Sequence, residues 1–526
     1  MRRSALLPLI LILLSCRTFP ASPPRKVVMM SLDGADAATL HRFYREGKLN
    51  AGGFARFFRE GQVADALVPV NPSITAPNHI SLATGHLTEE TGIVGNDIRL
   101  PGMPLDKMAS GFAAEIHTDT LWEAARRQGK RVGSTGWPGT NGGEDRRSAD
   151  WGVRYAGSPE RGSELRTVPR ADWPGPVKKG EWALVPCGSP ADRCWAKVLE
   201  VEPDSVRVYF GEVYRLRAYP EEFDKVLRDA GLVWSGPADS ESFEETWAGR
   251  PGIDLDTWVE QTERYSAFFM DLLLAAARFS DWDLLMGYTP VIDDAGHELL
   301  LVDPRQPGFS PERRDAFAAA RLRVWQSVDR ELARLLGAID LRSTTVLIVS
   351  DHGMTPAHTQ IDVDTLLREW GLESKADALG GGGVGHVYVQ SGLADREQIL
   401  ERIRTDLATW SEREGRPIAR VLTRAEAAEV GMNHPNSGDL VLFAEPGYNF
   451  RDEDDPVSAT PLSPTTVYGK HGYLNTHPSM HAIYMALGAG IERGNAGTVR
   501  NTEVAGRVAG WLGIEPPGKA PQSSSK

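Results

Sequence analysis

Three short, mostly apolar runs lie far apart in this chain, at residues 27–32, 283–288 and 346–350. Apolar runs of this length are typical of parallel strands that are buried on both faces of a sheet. Long stretches with apolar residues at helical spacing lie between them, at residues 258–277 and 311–339. Strands that alternate with long helices predict an α/β fold, in which helices flank a doubly wound and mostly parallel sheet.

Side chains that can bind metals follow each of these apolar runs. Asp33 follows the first run, Asp293 lies just past the second, and the pair Asp351-His352 follows the third. Ligands of doubly wound sheets bind beyond the carboxyl ends of the strands. These side chains are therefore expected to lie together at one edge of the sheet.

Two further histidines complete the candidate set. His297 is four residues after Asp293, a spacing at which two side chains share one helix face and can hold one metal. Asp294 competes for that role, and spacing alone does not choose between the two aspartates. His471, in the run GKHGYLN, is a less specific signal by itself. Carboxylates mixed with imidazoles suit divalent cations, and with one activatable hydroxyl they supply what two-metal phosphoryl transfer requires.

The hydroxyl is that of Thr75, at the expected start of a helix in the run PSITAPNH. Threonine is a favoured helix N-cap and proline is favoured in the first helical turn, so one interpretation is a plain cap. A helix start also directs backbone N–H groups and a positive dipole end at a bound anion. The second interpretation is a nucleophile that faces a phosphate.

Together these stretches resemble the alkaline phosphatase superfamily and, within it, the nucleotide pyrophosphatase/phosphodiesterase family. The resemblance covers residues 26 to about 512, apart from an insertion, and rests on the order of the motif residues, which are Asp33, Thr75, Asn96, Asp293, His297, Asp351, His352 and His471. It implies two zinc ions, although manganese or a mixed pair would suit the same ligand types. One ion would be held by Asp33, Asp351, His352 and the Thr75 oxygen, and the other by Asp293, His297 and His471.

The same resemblance settles two local choices and implies a mechanism. The distance from Tyr288 to Asp293 is that of the family and favours Asp293 over Asp294, and His477 is the second choice for the role of His471. The implied reaction is a double displacement, in which the Thr75 alkoxide attacks phosphorus and water cleaves the phosphothreonine intermediate. Asn96, which by itself would be a turn residue, would donate a hydrogen bond to a non-bridging phosphate oxygen.

The substrate is expected to be a small phosphodiester, a nucleotide or a pyrophosphate. The run RVGSTGWPGTNGG lacks the Lys-x-Arg pair of the monoesterase branch, and its segment Trp137-Pro138-Gly139 resembles the phosphodiesterase branch. Ala76 stands where the family often has an aromatic residue that stacks on a base, so a lipid-derived or sugar diester is also possible. The alternative functions are a phosphomonoesterase and, from another class, a non-catalytic, metal-stabilised surface lipoprotein.

The amino terminus predicts export. Residues 1–15 have a basic start and an apolar run too short to span a bilayer, as in a secretory signal peptide. Cys16 follows in a context that resembles a lipoprotein cleavage box, which predicts a periplasmic or outer-surface protein that is anchored to the membrane through lipidated Cys16. The other interpretation is ordinary signal cleavage that removes Cys16, and in both cases the protein is exported. The formal charge of −13 argues against binding to duplex nucleic acid, which needs a basic surface. The sequence predicts no oligomeric state.

The expected organisation places insertions between parts of one catalytic core. Cys187 and Cys194, seven residues apart, are expected to form a local disulfide in the first insertion. The predicted segments are a flexible leader at 16–24, core at 25–175, a β-rich insertion at 176–239, core at 240–360, a small α+β cap at 361–450, core at 451–515 and a disordered tail at 516–526.

Overall fold

The structure, a computed structural model, describes residues 26–140, 148–155, 161–187, 193–213, 216–232, 236–452 and 455–518. The predicted signal peptide, Cys16 and the leader lie outside these residues, as does the tail from residue 519. Within the described part, no helix has both the length and the apolar composition that crossing a membrane requires.

The helices and strands of the described residues are numbered in chain order. The helices are α1 (Ala37–Arg45), α2 (Phe54–Glu60), α3 (Thr75–Thr84), α4 (Thr88–Thr91), α5 (Leu121–Arg127), α6 (Glu221–Asp229), α7 (Ser240–Trp247), α8 (Leu255–Phe279), α9 (Val291–Leu299), α10 (Pro311–Ala338), α11 (Val363–Glu369), α12 (Arg396–Arg413) and α13 (Val504–Leu512). The first strands are β1 (Lys26–Leu32), β2 (Gln62–Val63), β3 (Ala66–Val68), β4 (Asp97–Ile98), β5 (Ala109–Ser110), β6 (Val132–Thr135), β7 (Trp151–Val153), β8 (Glu164–Pro169), β9 (Trp182–Pro186), β10 (Arg193–Val201), β11 (Ser205–Phe210), β12 (Ala218–Tyr219) and β13 (Leu284–Thr289). The remaining strands are β14 (Thr344–Val349), β15 (Thr355–Pro356), β16 (Thr359–Ile361), β17 (Ala376–Gly381), β18 (Val384–Val389), β19 (Ile418–Thr423), β20 (Leu440–Ala444), β21 (Tyr448–Phe450), β22 (Leu462–Pro464), β23 (Gly469–Lys470), β24 (Tyr484–Gly488), β25 (Gly494–Asn495) and β26 (Thr498–Arg500).

The main sheet contains nine of the described strands, in the order β12-β7-β6-β13-β1-β14-β24-β2-β25. The strands from β7 to β14 run parallel, while β12 and β24 pair antiparallel with their neighbours. The three apolar runs of the sequence form the centre of this sheet, where Val28 is level with Leu285 on one side and Val346 on the other. The predicted α/β fold with a mostly parallel sheet is confirmed.

Helices cover both faces of the main sheet, which explains the continuous apolar runs. On β1, Val28 and Met30 pack into a core formed with α8 and α10, whereas Val27 and Met29 pack into a second core with α3 and α13. Successive strand residues point to opposite faces, so a strand covered on both sides must be apolar throughout. The long predicted helices at 258–277 and 311–339 are α8 and α10.

The β-rich segment is a four-stranded sheet in the order β8-β11-β10-β9. It begins at Glu164, earlier than residue 176, because β8 has a mostly polar and exposed sequence that does not mark it as a strand. The later part of the insertion expected at 176–239 belongs to the core instead. Strand β12 joins the main sheet, and Phe223 of α6 packs into the core on one face of that sheet. Cys187 and Cys194 form a disulfide within the insertion.

A second antiparallel sheet, β17-β18-β20-β19, carries α11 and α12 and forms the cap. The glycine run at 380–383 joins β17 to β18 in a tightly packed hairpin. Gly382 has a φ of 59°, and the Gly383 amide donates to the His471 carbonyl at 2.7 Å. The hairpin therefore touches one of the candidate metal ligands.

Candidate two-metal active site

Six predicted side chains converge into two groups at the carboxyl edge of the central strands. The first cluster contains Asp33, Asp351 and His352, and the second cluster contains Asp293, His297 and His471. Within each cluster, the candidate ligand atoms all lie within 4.8 Å of one another. The imidazoles of His352 and His471 stack with ring centroids 3.8 Å apart, so the two clusters are adjacent.

The elements that carry the first cluster are neighbouring parallel strands. Asp33 follows the end of β1, and Asp351 and His352 follow the end of β14, so pairing of the strands brings the three together. His352 Nε2 lies 3.0 Å from Asp351 Oδ2 and 3.5 Å from Asp33 Oδ1. The Gly34 amide donates to Asp351 Oδ1 at 3.2 Å, which fixes the aspartate relative to β1.

The second cluster combines one helix with a loop near the cap. Asp293 and His297 lie on the same face of α9, with His297 Nε2 3.1 Å from Asp293 Oδ2. His471 follows β23, and its Nε2 lies 3.9 Å from Asp293 Oδ1. The Asp-x-x-x-His pair thus lies on a helix, as its spacing predicts. Asp294 and His477, the competing candidates, belong to neither cluster.

The three imidazoles of the clusters are oriented in the same way. The Nδ1 atoms of His297, His352 and His471 lie 2.7, 3.0 and 3.3 Å from the carbonyl oxygens of Gly469, Gly353 and Ser73. An N–H donated to a carbonyl from Nδ1 leaves the lone pair of Nε2 directed at the cluster. Metal-ligating histidines are held by this kind of second hydrogen bond.

The carboxylates of the two clusters also indicate that a cation binds there. Asp33 Oδ1, Asp293 Oδ1 and Asp351 Oδ2 are buried and have no hydrogen-bond donor among the described residues. Burial and the repulsion from Asp351 and Asp293 raise the pKa of Asp33 well above its ordinary value. Buried carboxylate oxygens without donors are costly unless a cation compensates them. The first cluster offers two carboxylates and one imidazole, and the second offers one carboxylate and two imidazoles. Both donor sets fit divalent metals.

The electrostatics of the second cluster also favour a charged carboxylate. Burial would raise the pKa of Asp293, but the adjacent His297 outweighs it and holds that pKa at about 2. Burial would lower the pKa of His297, but Asp293 raises it to about 8. Burial and the neighbouring His352 lower the pKa of His471 well below its ordinary value, so that imidazole is neutral.

Thr75 is the first residue of α3, and it does not serve as the helix cap. Ile74 is the N-cap, with no side-chain hydrogen bond, so the plain-cap interpretation of Thr75 is wrong. The Thr75 hydroxyl is buried and lies 3.5 Å from His352 Nε2, beside the first cluster. Asn96 is also adjacent, because its Oδ1 accepts a hydrogen bond from the Ala76 amide at 2.9 Å. This places the side chain of Asn96 at the start of α3, with its carbonyl oxygen engaged by the backbone.

Two supporting residues did not stand out in the sequence. Tyr288, which served there only as a spacing marker, donates from its hydroxyl to Asp33 Oδ2 at 2.6 Å. His79 is completely buried and bridges the Thr75 carbonyl and the Ser31 hydroxyl, each at 2.9 Å. Its position four residues after Thr75 on a helix is the one sequence signal that could have linked it to the site.

A cavity of about 360 Å³ opens beside the second cluster. Its core side includes Ile74, Asn96, His297 and His471, and its cap side includes the β17–β18 hairpin. The second cluster is thus accessible to a ligand, whereas the carboxylates of the first cluster are almost fully buried.

Comparisons with known proteins agree with this geometry. A model of the type I phosphodiesterase/nucleotide pyrophosphatase family matches residues 27–474. Human ectonucleotide pyrophosphatase/phosphodiesterase family member 1 is 32% identical over 124 residues, which are 23% of this chain and 13% of the human protein. The alkaline phosphatase PhoV of Synechococcus elongatus is 39% identical over 75 residues, which are 14% of this chain and 13% of that protein. Each match thus spans a small part of the curated relative.

Solved structures share the fold over almost the whole chain. Human ectonucleotide pyrophosphatase/phosphodiesterase 5 has a TM-score of 0.55 and 16% identity, covering 95% of this chain and 97% of that one. The murine protein, in an inactive form in complex with AMP, has a TM-score of 0.54 and 15% identity over the same shares. Because the family match covers most of its length, this chain belongs to the type I phosphodiesterase/nucleotide pyrophosphatase family.

Proposed function

We propose that this protein is an exported two-zinc phosphodiesterase that hydrolyses phosphoric diesters or pyrophosphates through a covalent intermediate on Thr75. The observation that carries the proposal is the convergence of six candidate ligands around one buried hydroxyl. The first cluster and the Thr75 oxygen would hold one ion, and the second cluster would hold the other. Zinc bound there would favour the alkoxide form of the hydroxyl and stabilise the negative charge on the departing oxygen.

The residues of the chain supply the remaining chemistry. Thr75 Oγ1 attacks phosphorus, the bond to one ester oxygen breaks, and the alcohol leaves with a proton from solvent. Water then attacks the phosphothreonine, which restores the hydroxyl and releases the phosphomonoester. Asn96 donates from its amide nitrogen to a non-bridging oxygen, because its carbonyl oxygen is already engaged by the Ala76 amide.

The test is hydrolysis of bis-p-nitrophenyl phosphate by purified, metal-loaded protein. Thr75→Ala is expected to lower kcat at least about 10³-fold, since loss of a nucleophile removes the first step. Ser81→Ala is the matched control, because it removes a buried hydroxyl from the same helix that has no hydrogen-bond partner among the described residues. A Thr75→Ala protein that is folded and as active as the Ser81→Ala protein would overturn the proposal.

A second candidate is a phosphomonoesterase on the same scaffold, favoured by the match of 75 residues to an alkaline phosphatase. The absence of a Lys-x-Arg pair in the run RVGSTGWPGTNGG favours the diesterase. We expect kcat/KM for bis-p-nitrophenyl phosphate to exceed that for p-nitrophenyl phosphate. The opposite ratio would establish the monoesterase.

The cellular location is a separate proposal that rests on the amino-terminal sequence. Lipidation at Cys16 would place the enzyme on a periplasmic or outer-surface membrane face. Incorporation of labelled palmitate should occur in the full-length protein and be lost in Cys16→Ser. Equal labelling of both proteins would exclude a lipid on this residue.

A further inference from the structure

His79 joins the helix of the proposed nucleophile to the strands that carry the first cluster. It lies on α3, four residues after Thr75, and its side chain is completely buried. Its Nδ1 atom lies 2.9 Å from the Thr75 carbonyl oxygen and 3.4 Å from Asp351 Oδ2. Its Nε2 atom lies 2.9 Å from the Oγ atom of Ser31 on β1. One imidazole thus contacts the backbone of the nucleophile, a candidate metal ligand and a central strand.

The neighbours of the two ring nitrogens determine where the imidazole carries its hydrogen. Nδ1 faces two oxygen acceptors, the Thr75 carbonyl and the Asp351 carboxylate. A lone pair on Nδ1 would be repelled by both, so Nδ1 carries a hydrogen whether the ring is neutral or charged. In the neutral ring Nε2 is then an acceptor, and the Ser31 hydroxyl donates to it. The Nδ1–H group is therefore directed at the nucleophile and the first cluster.

The surroundings of His79 hold its ring in this orientation. Trp137 and Tyr288 each meet the imidazole edge to face, with ring centroids 5.3 Å apart. Both aromatic rings are buried, as is Ser31. Rotation of the imidazole would leave its nitrogens unpaired in a buried site, which costs free energy. His79 is therefore a fixed link between α3 and the sheet.

The proposed nucleophile lies where its helix constrains it least. Thr75 is the first residue of α3, and the N-cap residue Ile74 makes no side-chain hydrogen bond. Helix ends fray, because the first turn lacks part of its intrahelical hydrogen bonds. The hydrogen bond from His79 to the Thr75 carbonyl holds this turn from the side of the sheet. It therefore restricts movement of the Thr75 hydroxyl relative to the first cluster.

We propose that His79 is a positioning residue, whose Nδ1–H group fixes the Thr75 nucleophile relative to the first cluster. It acts through Thr75 and Asp351, since a completely buried ring does not reach the substrate. Displacement of a reacting group by about 1 Å lowers the rate by about 100-fold. This inference rests on the proposed function, because it assigns a role in the same reaction.

Two conservative variants separate the Nδ1–H group from the rest of the side chain. The amide of asparagine reaches the position of Nδ1 and can donate to the Thr75 carbonyl, whereas the amide of glutamine reaches the position of Nε2 and can bond to Ser31. His79→Asn therefore keeps the proposed link, and His79→Gln removes it. Each variant loses the packing of the ring and one of its two hydrogen bonds. A purely structural role predicts that the two variants behave alike.

The measurements are kcat and KM for bis-p-nitrophenyl phosphate, together with the zinc content and the free energy of unfolding of each protein. His79→Gln is expected to lower kcat by about 100-fold with little change in KM, while His79→Asn stays within about tenfold of the original protein. The zinc content and the free energy of unfolding should be similar in the two variants, which excludes loss of metal or of stability as the cause. Equal kcat values in the two variants would overturn the inference.

Ser31→Ala tests the other side of the ring. It removes the hydroxyl that bonds to Nε2 and leaves the contacts of Nδ1 in place. We expect its kcat to remain at least about ten times that of His79→Gln. A loss as large as that of His79→Gln would show that the ring acts through β1, and the role of the Nδ1–H group would be refuted.

The original protein offers a measurement that needs no variant. Nitrogen-15 NMR of protein labelled at histidine distinguishes the two tautomers of an imidazole. His79 should carry a hydrogen on Nδ1. A ring with its hydrogen on Nε2 alone would overturn the inference even if neither variant of His79 folds.

The outcomes separate this inference from the proposed function. If the metal-loaded protein does not hydrolyse the diester, or if Thr75→Ala is as active as Ser81→Ala, the proposed function fails. If hydrolysis depends on Thr75 but the two variants of His79 have equal kcat values, the positioning role alone is refuted.

Discussion

Tyr288 lies behind the first cluster and connects β13 to the ligand at the end of β1. Its hydroxyl donates to Asp33 Oδ2 at 2.6 Å, which leaves Oδ1 of the same carboxylate directed at the cluster. Residues that hold a metal ligand in one orientation typically contribute a factor of 10 to 100 in metal affinity. Tyr288 is therefore a positioning residue for the first cluster.

Tyr288→Phe is expected to weaken metal binding at the first cluster by about tenfold, with little change in the overall fold. Competition with a chelator measures the affinity directly. Tyr388→Phe is the matched control, since it removes a buried hydroxyl that donates to the Asn436 carbonyl in the cap. Equal affinities in the two variants would show that the Tyr288 hydroxyl does not orient Asp33.

At the scale of single elements, the turn after β1 requires a glycine at residue 34. Gly34 has a φ of 67°, and a Cβ atom there would lie 2.7 Å from Asp293 Cα. The turn that carries Asp33 therefore packs directly against the helix that carries Asp293. Only glycine allows the two clusters to be this close.

Gly34→Ala is expected to lower phosphodiesterase activity by about 100-fold or more, because the backbone must move away from Asp293 and ligand displacements of about 1 Å are costly. Gly47→Ala separates this effect from backbone strain, since Gly47 has a φ of 66° and nothing within 4 Å. That control should cost only about 1–2 kcal/mol of stability and retain activity. Similar activities of the two variants would exclude the packing explanation.

The cap strand β18 carries a pH-sensitive element in His386. Its pKa is lowered by burial from 6.5 to about 4, so the folded protein binds this proton less readily than the unfolded chain. The contribution of neutral His386 to the free energy of unfolding is complete above about pH 6.5 and is lost as the pH falls towards 4. His386→Asn should reduce the loss of unfolding free energy between pH 7 and pH 5 by roughly 2 kcal/mol, as measured by urea denaturation. An unchanged pH dependence would contradict this.

At the scale of the whole molecule, the clusters connect segments that are distant in the chain. Their ligands come from the ends of β1 and β14, from α9 and from the segment after β23. Metal bound at both clusters would therefore stabilise the folded arrangement of core and cap together, by about 2.7 kcal/mol for each site at a free concentration 100 times the Kd.

Removal of metal with a chelator should lower the Tm by about 5 °C for a chain of this size, and added zinc should restore it. The measurement is differential scanning calorimetry of the loaded and chelated protein. An Asp33→Asn/Asp293→Asn double variant, with both clusters impaired, should not respond to either treatment. A Tm that is the same with and without chelator in the original protein would argue against resident metals.

The sequence by itself determined the central architecture, and its resemblance to a known family predicted the members of both clusters. Apolar runs that end in Asp33 or Asp351 specify buried parallel strands, and parallel strands necessarily place their carboxyl ends at one edge. The spacing of Asp293 and His297 likewise specifies one helix face, because helical periodicity is local. These features depend on short-range rules, which a sequence displays directly.

Only the tertiary structure decided which neighbours complete the site. That Ile74 rather than Thr75 caps α3 depends on how the loop before it packs, and the start of the insertion at Glu164 depends on pairing between β8 and β11. The contacts of Tyr288 with Asp33 and of the glycine hairpin with His471 join residues far apart in the chain. Such contacts follow from how strands, helices and cap are packed, and no local pattern of residues specifies them.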